Sequence, residues 1–321
     1  MKRFLPVFIA LVFSTGSAEA IELPGLPKFI DDMVAKYQFK HDELATVFQA
    51  AEYRPDVIAA ITAPATLKPW VEYRASFINP LRIDGGLEFW QHYADYLQKA
   101  EAQYGVPQEI IVAVIGVETL YGRRPGRYRT LDALTTLAFD YPRRADFFRS
   151  ELEQYLLLAR EQGFDLLGIK ASYAGALGIP QFMPSTYRKY AVDFNGNGKV
   201  DILQEPEDAI GSVANYLKQY GWKTGEPIAQ LAALGKEATP EISDTSRTEG
   251  EWASLGITPA VKSAGKLPPA WLLDFTVENG KEYWLVYNNF RVITLYNNSN
   301  FYAMSVFQLA EALRNAHVSK P

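Results

Sequence analysis

The 321-residue chain contains no cysteine. That excludes disulfides, thiolate nucleophiles, zinc ribbons and iron–sulfur clusters together, and also a lipid carried on an N-terminal cysteine. Histidine is nearly absent: only His41, His92 and His317 occur, and no two have the spacing that sets a pair of metal ligands on one helix face, so a catalytic zinc site is not expected. Long apolar runs are missing as well. After Phe13 charges interrupt every apolar stretch within about a dozen residues, whereas a membrane-spanning helix needs about 20. Positive charge is in deficit, with 32 Lys+Arg against 37 Asp+Glu and a net charge of −5, which argues against nonspecific nucleic-acid binding as the main role. What is present is 48% hydrophobic and 13% aromatic residues, enough for one large or two to three small packed units, and this excludes disorder and fibrous arrays.

Residues 1–20 have a basic start at Lys2-Arg3, an apolar run from Phe4 to Phe13, and small residues ending in Ala18-Glu19-Ala20. This is the form of a secretory signal peptide, and ten apolar residues are too few for a membrane anchor. Cleavage after Ala20 is expected, leaving an exported protein without a membrane span. It would remove Lys2, Arg3 and Glu19 and take the net charge from −5 to −6.

Apolar residues at three- and four-residue spacing make residues 23–103 a helical region, as in Phe29, Met33, Val34 and Tyr37, cut into pieces by Pro64, Pro69 and Pro80. The clearest helix is 106–121, with Pro107 suited to its first turn and Gly122 to the position just past its end. Further helices are expected at about 130–139, 143–162, 184–191, 206–220 and 303–315. Between Trp222 and Asn298 a loop-like stretch at 238–246 gives way to β-branched and aromatic runs at 271–277, 283–287 and 291–296, which predict short strands. The fold class is therefore α+β and mainly α. The expected organisation is a helical region over 21–80, a core over 81–222, a small β-rich unit over 223–285, and a return to the core over 286–321.

Four constellations carry chemistry. Counting back three, four, seven and eight from Glu118 reaches Ile115, Val114, Ile111 and Ile110, so this carboxylate shares the face that seeks the core. It is either a helix-end glutamate paired with an arginine or with backbone amides, or an acid whose raised pKa suits protonation of a glycosidic oxygen. The small residues of 171–178 let backbone approach a ligand, with Ser172 and Gln181 as oriented polar groups, although a tight loop packed under a helix has the same composition. Asp193, Asn195, Asn197, Lys199 through its carbonyl, and Asp201, with Gly198 in the turn, resemble the front half of a calcium loop. Gln204 stands where a bidentate Glu is expected, so Glu205, Glu207 or Asp208 would have to close the site. With so few charged ligands the affinity should be of order 10⁻⁴–10⁻³ M, and the ion structural. Finally, Tyr73, Tyr141-Pro142-Arg143-Arg144 and 296–302 interleave aromatics with amides and arginines, suited to sugar faces and hydroxyls or equally to ordinary packing.

Taken together, Ile115-Gly116-Val117-Glu118-Thr119, Tyr141-Pro142-Arg143-Arg144-Ala145, Ser172-Tyr173-Ala174-Gly175-Ala176 through Gln181-Phe182-Met183-Pro184-Ser185, Ala191-Val192-Asp193-Phe194, Asp208-Ala209-Ile210-Gly211-Ser212-Val213-Ala214-Asn215-Tyr216 and Phe301-Tyr302-Ala303-Met304 resemble the B-type lytic murein transglycosylases. The resemblance covers roughly residues 70–222 and 283–315. It implies a lysozyme-like core in a periplasmic enzyme that cuts the β-1,4 bond between N-acetylmuramic acid and N-acetylglucosamine and leaves a 1,6-anhydromuramyl end. Glu118 matches the single catalytic carboxylate, first acid and then base. Ser172, Gln181, Tyr296, Asn297 and Tyr302 match cleft positions, and Tyr73, Arg143 and Arg144 match contacts to saccharide or peptide. Asp193, Asn195, Asn197, Lys199 and Asp208 match a structural calcium site, and no cofactor is implied for catalysis. The lack of cysteine fits a soluble form. A water-using muramidase and a non-catalytic peptidoglycan-binding protein share the core and remain as alternatives. The partners implied are peptidoglycan glycan strands; coordination of wall cutting with synthesis also points to wall synthases, although nothing in the sequence locates such a surface.

Overall fold

The computed structural model describes residues 23–63, 68–262 and 265–318. The expected leader, residues 1–20, lies outside them, as does Pro64. The chain begins with short helices α1 (Leu26–Tyr37), α2 (His41–Gln49), α3 (Pro55–Thr62) and α4 (Trp70–Phe77), then α5 (Pro80–His92) and α6 (Ala94–Tyr104). Pro69 immediately precedes α4 and Pro80 opens α5, where a fixed φ and a missing N–H cost nothing.

Helix α7 (Gln108–Thr119) is apolar on every side from Ile110 to Val117, so it is stable only when enclosed. α5, α6, α11 (Pro206–Gln219) and α14 (Asn300–Val318) pack around it. The helix is shorter than the expected 106–121: Pro107 caps it, and Leu120 and Tyr121 both take left-handed backbone (φ 52° and 61°). Such conformations cost about 1–3 kcal/mol each in non-glycine residues. They are held because the Tyr121 ring folds back under the helix and its hydroxyl donates to the Arg82 carbonyl at 2.7 Å. Gly116 makes room for that ring, since a Cβ there would lie 2.5 Å from the Tyr121 oxygen.

Downstream, β1 (Tyr128–Arg129) pairs antiparallel with β2 (Lys170–Ala171). Helices α8 (Thr130–Asp140) and α9 (Ala145–Gln162) form a hairpin through a turn at Pro142–Arg144. The N-terminal helices are tied to it by polar bonds. Buried Asp132 accepts from the Glu52 amide at 2.9 Å and from Arg129 at 2.6 Å, and the Arg54 amide donates to Thr136 at 3.0 Å. Helix α10 (Pro184–Tyr190) docks on α9 through Ser185, whose amide and hydroxyl both donate to Glu151.

Strands β3 (Ala229–Leu234), β4 (Ile257–Pro259), β5 (Trp271–Val277) and β6 (Gly280–Val286) form an antiparallel sheet in the order β4-β3-β6-β5, with α12 (Glu249–Ser254) before β4. Alternation on β5 divides its side chains between two cores: Leu272 joins a small cluster with Trp252, Ile257 and Leu285, while Phe275 packs into the main core. The strand expected at 291–296 is instead the end of helix α13 (Asn288–Tyr296). Phe290, Val292 and Ile293 are buried together with Asn289, a helical face rather than an alternating one. The Asn289 amide bonds the Lys223 amide and the Lys223 and Glu226 carbonyls, pinning the helix to the neck of the sheet. Tertiary contact here overrides β-branched propensity.

Candidate active site

Glu118 sits one residue before the end of α7, on the turn that faces α14. Burial disfavours its charged form and raises its pKa to about 7; the Tyr302 hydrogen bond and the Arg82 charge pull the other way without cancelling the effect. The Tyr302 hydroxyl, from the first turn of α14, donates to Glu118 Oε1 at 2.6 Å. Among the described residues Oε2 has no hydrogen-bond partner, and no acidic side chain acts on the ionisation of Glu118. The helix-end glutamate paired with an arginine or with backbone amides is therefore not what forms.

An aromatic wall stands beside the carboxylate. Tyr296 lies nearly parallel to Tyr302, with ring centroids 6.2 Å apart, and meets Tyr216 edge-on at 4.8 Å. Each hydroxyl is anchored: Tyr296 donates to the Pro180 carbonyl at 2.6 Å and Tyr216 to the Leu295 carbonyl at 2.7 Å. Burial, followed by the charge of Glu118, holds the pKa of both Tyr296 and Tyr302 far above the ordinary tyrosine value, so neither ionises near neutrality.

The other expected residues fall into three groups. Tyr73 is near the acid: Glu118 contributes to its raised pKa, after burial, and it packs on Trp70, Phe77 and Phe301. Gln181 and Ser172 shape the facing loop. Gln181 is held at φ 53° by its side-chain amide, which donates to the Pro125 and Gly178 carbonyls, both at 2.9 Å. Ser172 Oγ accepts from the Ala176 amide at 3.1 Å, closing the 172–176 turn and leaving the hydroxyl proton available. Asn297 is exposed beyond Tyr296. Arg143 and Arg144 do not join the cluster: both are exposed at the α8–α9 turn, where Arg144 stacks on Phe147 at 4.2 Å.

Two neighbours were not picked out from the sequence. Tyr216 is one. The other is Arg82, whose guanidinium donates to the Gly116 and Ser76 carbonyls and covers the Phe77 ring at 4.9 Å. Its signal was legible: positions 82, 85, 86 and 89 share one helix face with two glycines and a phenylalanine, so the cation points into the body, as Glu118 does.

The 193–208 loop is organised by carboxylates. Asp193 accepts the amides of Gly196, Asn197 and Gly198, as the first residue of an oxygen-lined cation loop does. Asn195 and Asn197 turn their side chains to Glu205, and Lys199 donates its amide to Asn197. Asp208 lies beneath the loop: Oδ1 accepts from Phe194 and Asn195, and Oδ2 from Asp201 alone, so one lone pair remains open. Among the described residues no three His, Asp or Glu side chains converge as a metal site. The donor set is two or three carboxylates with asparagine amides and a backbone carbonyl, the hard oxygen chemistry that suits calcium.

A mainly helical α+β body, with one protonatable glutamate at the end of an enclosed helix and an aromatic wall beside it, is the arrangement of a lysozyme-like, glycan-cleaving enzyme. A family model described as Transglycosylase SLT domain matches residues 24–311, and the chain belongs to that family. It is 44% identical over 305 residues to membrane-bound lytic murein transglycosylase B of Escherichia coli (strain K12), covering 92% of this chain and 84% of that one. Among solved structures it resembles the soluble lytic transglycosylase SltB1 of Pseudomonas aeruginosa (TM-score 0.85, 45% identity, 92% of this chain and 100% of that one). It also resembles the Escherichia coli lytic transglycosylase Slt35 in complex with calcium (TM-score 0.86, 43% identity, 92% and 94%).

Proposed function

We propose that this enzyme is a peptidoglycan lytic transglycosylase in which Glu118 is acid and then base. Its carboxylic acid protonates the glycosidic oxygen leaving C1 of N-acetylmuramic acid, and the C1–O bond breaks to release N-acetylglucosamine. The muramyl C6 hydroxyl then attacks C1 and returns its proton to Glu118, closing a 1,6-anhydro ring. The substrate acetamido group supports the positive charge at C1 between the two steps. The observation that carries this reading is one carboxylate with a pKa of about 7 and no acidic partner. Ordinary hydrolytic glycosidases use a second carboxylate as nucleophile or as base for water, whereas in this reading the nucleophile belongs to the substrate.

In this reading Tyr302 orients the carboxylate and steadies its ionised form, while Tyr296, Asn297, Ser172 and Gln181 line the cleft. Tyr73 extends the wall, and Arg143 and Arg144 meet the strand farther out. Calcium would be held by Asp193, Asn195, Asn197 and the Lys199 carbonyl, with the closing carboxylate from Glu205 or Asp208; it supplies charge neutralisation and loop rigidity, not a catalytic step. No helix of the described residues is long and apolar enough to cross a membrane, and export to the periplasm, where the glycan strands lie, is part of the proposal.

The test is digestion of purified sacculi by the wild type and by Glu118→Gln, read by mass spectrometry. Anhydromuramyl ends from the wild type and none from a folded variant are expected. Reducing ends would instead establish a muramidase, and a fully active variant would remove Glu118 from the chemistry.

A further inference from the structure

Strand β5 turns Trp271, Leu273, Phe275 and Val277 toward the helical body, and among them Phe275 reaches two other elements. Its ring lies 4.8 Å from that of Trp70 on α4 and 6.0 Å from that of Phe301 on α14, while Trp70 and Phe301 are 5.2 Å apart. Three rings from a strand and two helices thus close a triangle, with Phe275 and Trp70 buried and Phe301 half-buried. Aromatic pairs at such separations attract beyond the area they bury. Two further contacts close around the same stretch of α14: Arg74 of α4 donates to Gln308 at 2.7 Å, and Trp284 of β6 meets the Phe307 ring edge-on at 6.1 Å.

What this clamp holds is the start of α14. The first turn of a helix is its least secured, because its amides lack intrahelical acceptors. Here the side-chain capping bond, from the Tyr302 amide to Ser299 Oγ, is 3.3 Å long. Yet this is the turn that carries Tyr302, whose hydroxyl meets Glu118 Oε1 at 2.6 Å. Successive side chains leave a helix about 100° apart, so Phe301 and Tyr302 point in different directions and a hold on one sets the azimuth of the other.

We propose that Phe275 is a positioning residue for the acid: by holding Phe301 it fixes the rotation of the first turn of α14 and so aims Tyr302 at Glu118. The groups that act on the ionisation of Glu118, Tyr302 and Arg82, both lie outside the sheet. The sheet therefore takes its part in the chemistry through α14. The inference rests on the reading of Glu118 as the acid.

The test measures kcat on solubilised glycan strands, with the melting temperature alongside, for Phe275→Ala, for Leu272→Ala, and for Phe275→Ala combined with Tyr302→Phe. Leu272 points to the opposite face of β5, into the small cluster with Trp252, and controls for loss of packing in the sheet. A misplacement of about 1 Å can cost as much as about 100-fold in rate, so a smaller displacement in folded Phe275→Ala should lower kcat about tenfold. Leu272→Ala should melt earlier but turn over like the wild type. Because Phe275 acts through Tyr302, adding Phe275→Ala to Tyr302→Phe should cost less than about threefold more. Should Phe275→Ala fold poorly, Phe275→Leu keeps the apolar bulk without the ring and should lower kcat about threefold, again only while Tyr302 is present. A folded Phe275 variant with wild-type kcat, an equal fall in Leu272→Ala, or a loss kept in full in the Tyr302→Phe background overturns the inference. The failure of the underlying reading looks different: Glu118→Gln would itself remain active.

Discussion

The Ile179 amide donates to the Ile202 carbonyl at 2.9 Å, and it joins the cleft loop that carries Gln181 to the oxygen-lined loop that begins at Asp193. Gly178 lies against the same carbonyl so closely that a Cβ there would come within 2.4 Å. Loosening the 193–208 loop should therefore loosen the loop that carries Gln181.

Calcium removal should act on stability before chemistry. Chelation is expected to lower the melting temperature and millimolar calcium to restore it, with Asp193→Ala abolishing the difference. Comparing Glu205→Gln with Asp208→Asn assigns the closing ligand, since only one should weaken the calcium response while the other lowers stability with and without the ion. A melting curve indifferent to calcium would remove the metal.

Tyr302→Phe and Arg82→Gln each remove a group that favours ionised Glu118, so each should raise its pKa above about 7. The limb of the pH–rate profile on which the acid is lost then moves to higher pH. The maximal rate should fall about 10- to 100-fold for Tyr302→Phe, because a bond to a charged group contributes about 1.5–3 kcal/mol. Slower turnover with an unshifted limb would mean that these residues shape the fold alone.

Glu118 should also make the folded state sensitive to alkali. Its folded pKa, about 7, lies above the ordinary value of 4.5, so the native protein holds a proton that the unfolded chain releases. Stability is therefore lost as pH rises from 4.5 through 7, by up to about 3 kcal/mol. Glu118→Gln should be more stable than wild type at pH 8 and nearly equal to it at pH 4, as thermal melts at the two pH values would show. An equal gain at both would contradict the buried acid.

Gly116→Ala places a methyl 2.5 Å from the Tyr121 oxygen, which the Arg82 carbonyl holds in place. Overpacking of this kind costs about 1–3 kcal/mol, and the melting temperature should fall by roughly 2–6 °C. A variant that melts with the wild type would show that Tyr121 has room to move.

The helical body was legible because its signals are local. The all-apolar run before Glu118 and the prolines at 69 and 80 mark real boundaries in α7, α4 and α5. The sheet was only half legible. β5 and β6 have aromatic and β-branched residues, whereas β3 is Gln-Leu-Ala-Ala-Leu after its first residue and β4 is three residues long. Helix α12 had a readable start in the capping box formed by Thr248 and Glu251. Residues 291–296 misled because alternation and helical burial coincide over so short a stretch, and only the contacts of Asn289 decide between them. At the site, Glu118 stood out as a charge on an apolar face. The assembly of Tyr216, Tyr296 and Tyr302 into one wall depends on how distant helices dock, which no local pattern encodes.

Glu118 and the tyrosine that orients it are 184 residues apart in the chain. A polypeptide still being synthesised has its acid long before it has Tyr302. Until α14 docks on α7 that carboxylate meets water, and its pKa returns toward 4.5, where it has no proton to give near neutrality. If Glu118 is the acid, competence thus requires α14 to be in place. On that reading, a copy in which α14 is lost or undocked would present an ordinary surface carboxylate in place of a proton donor.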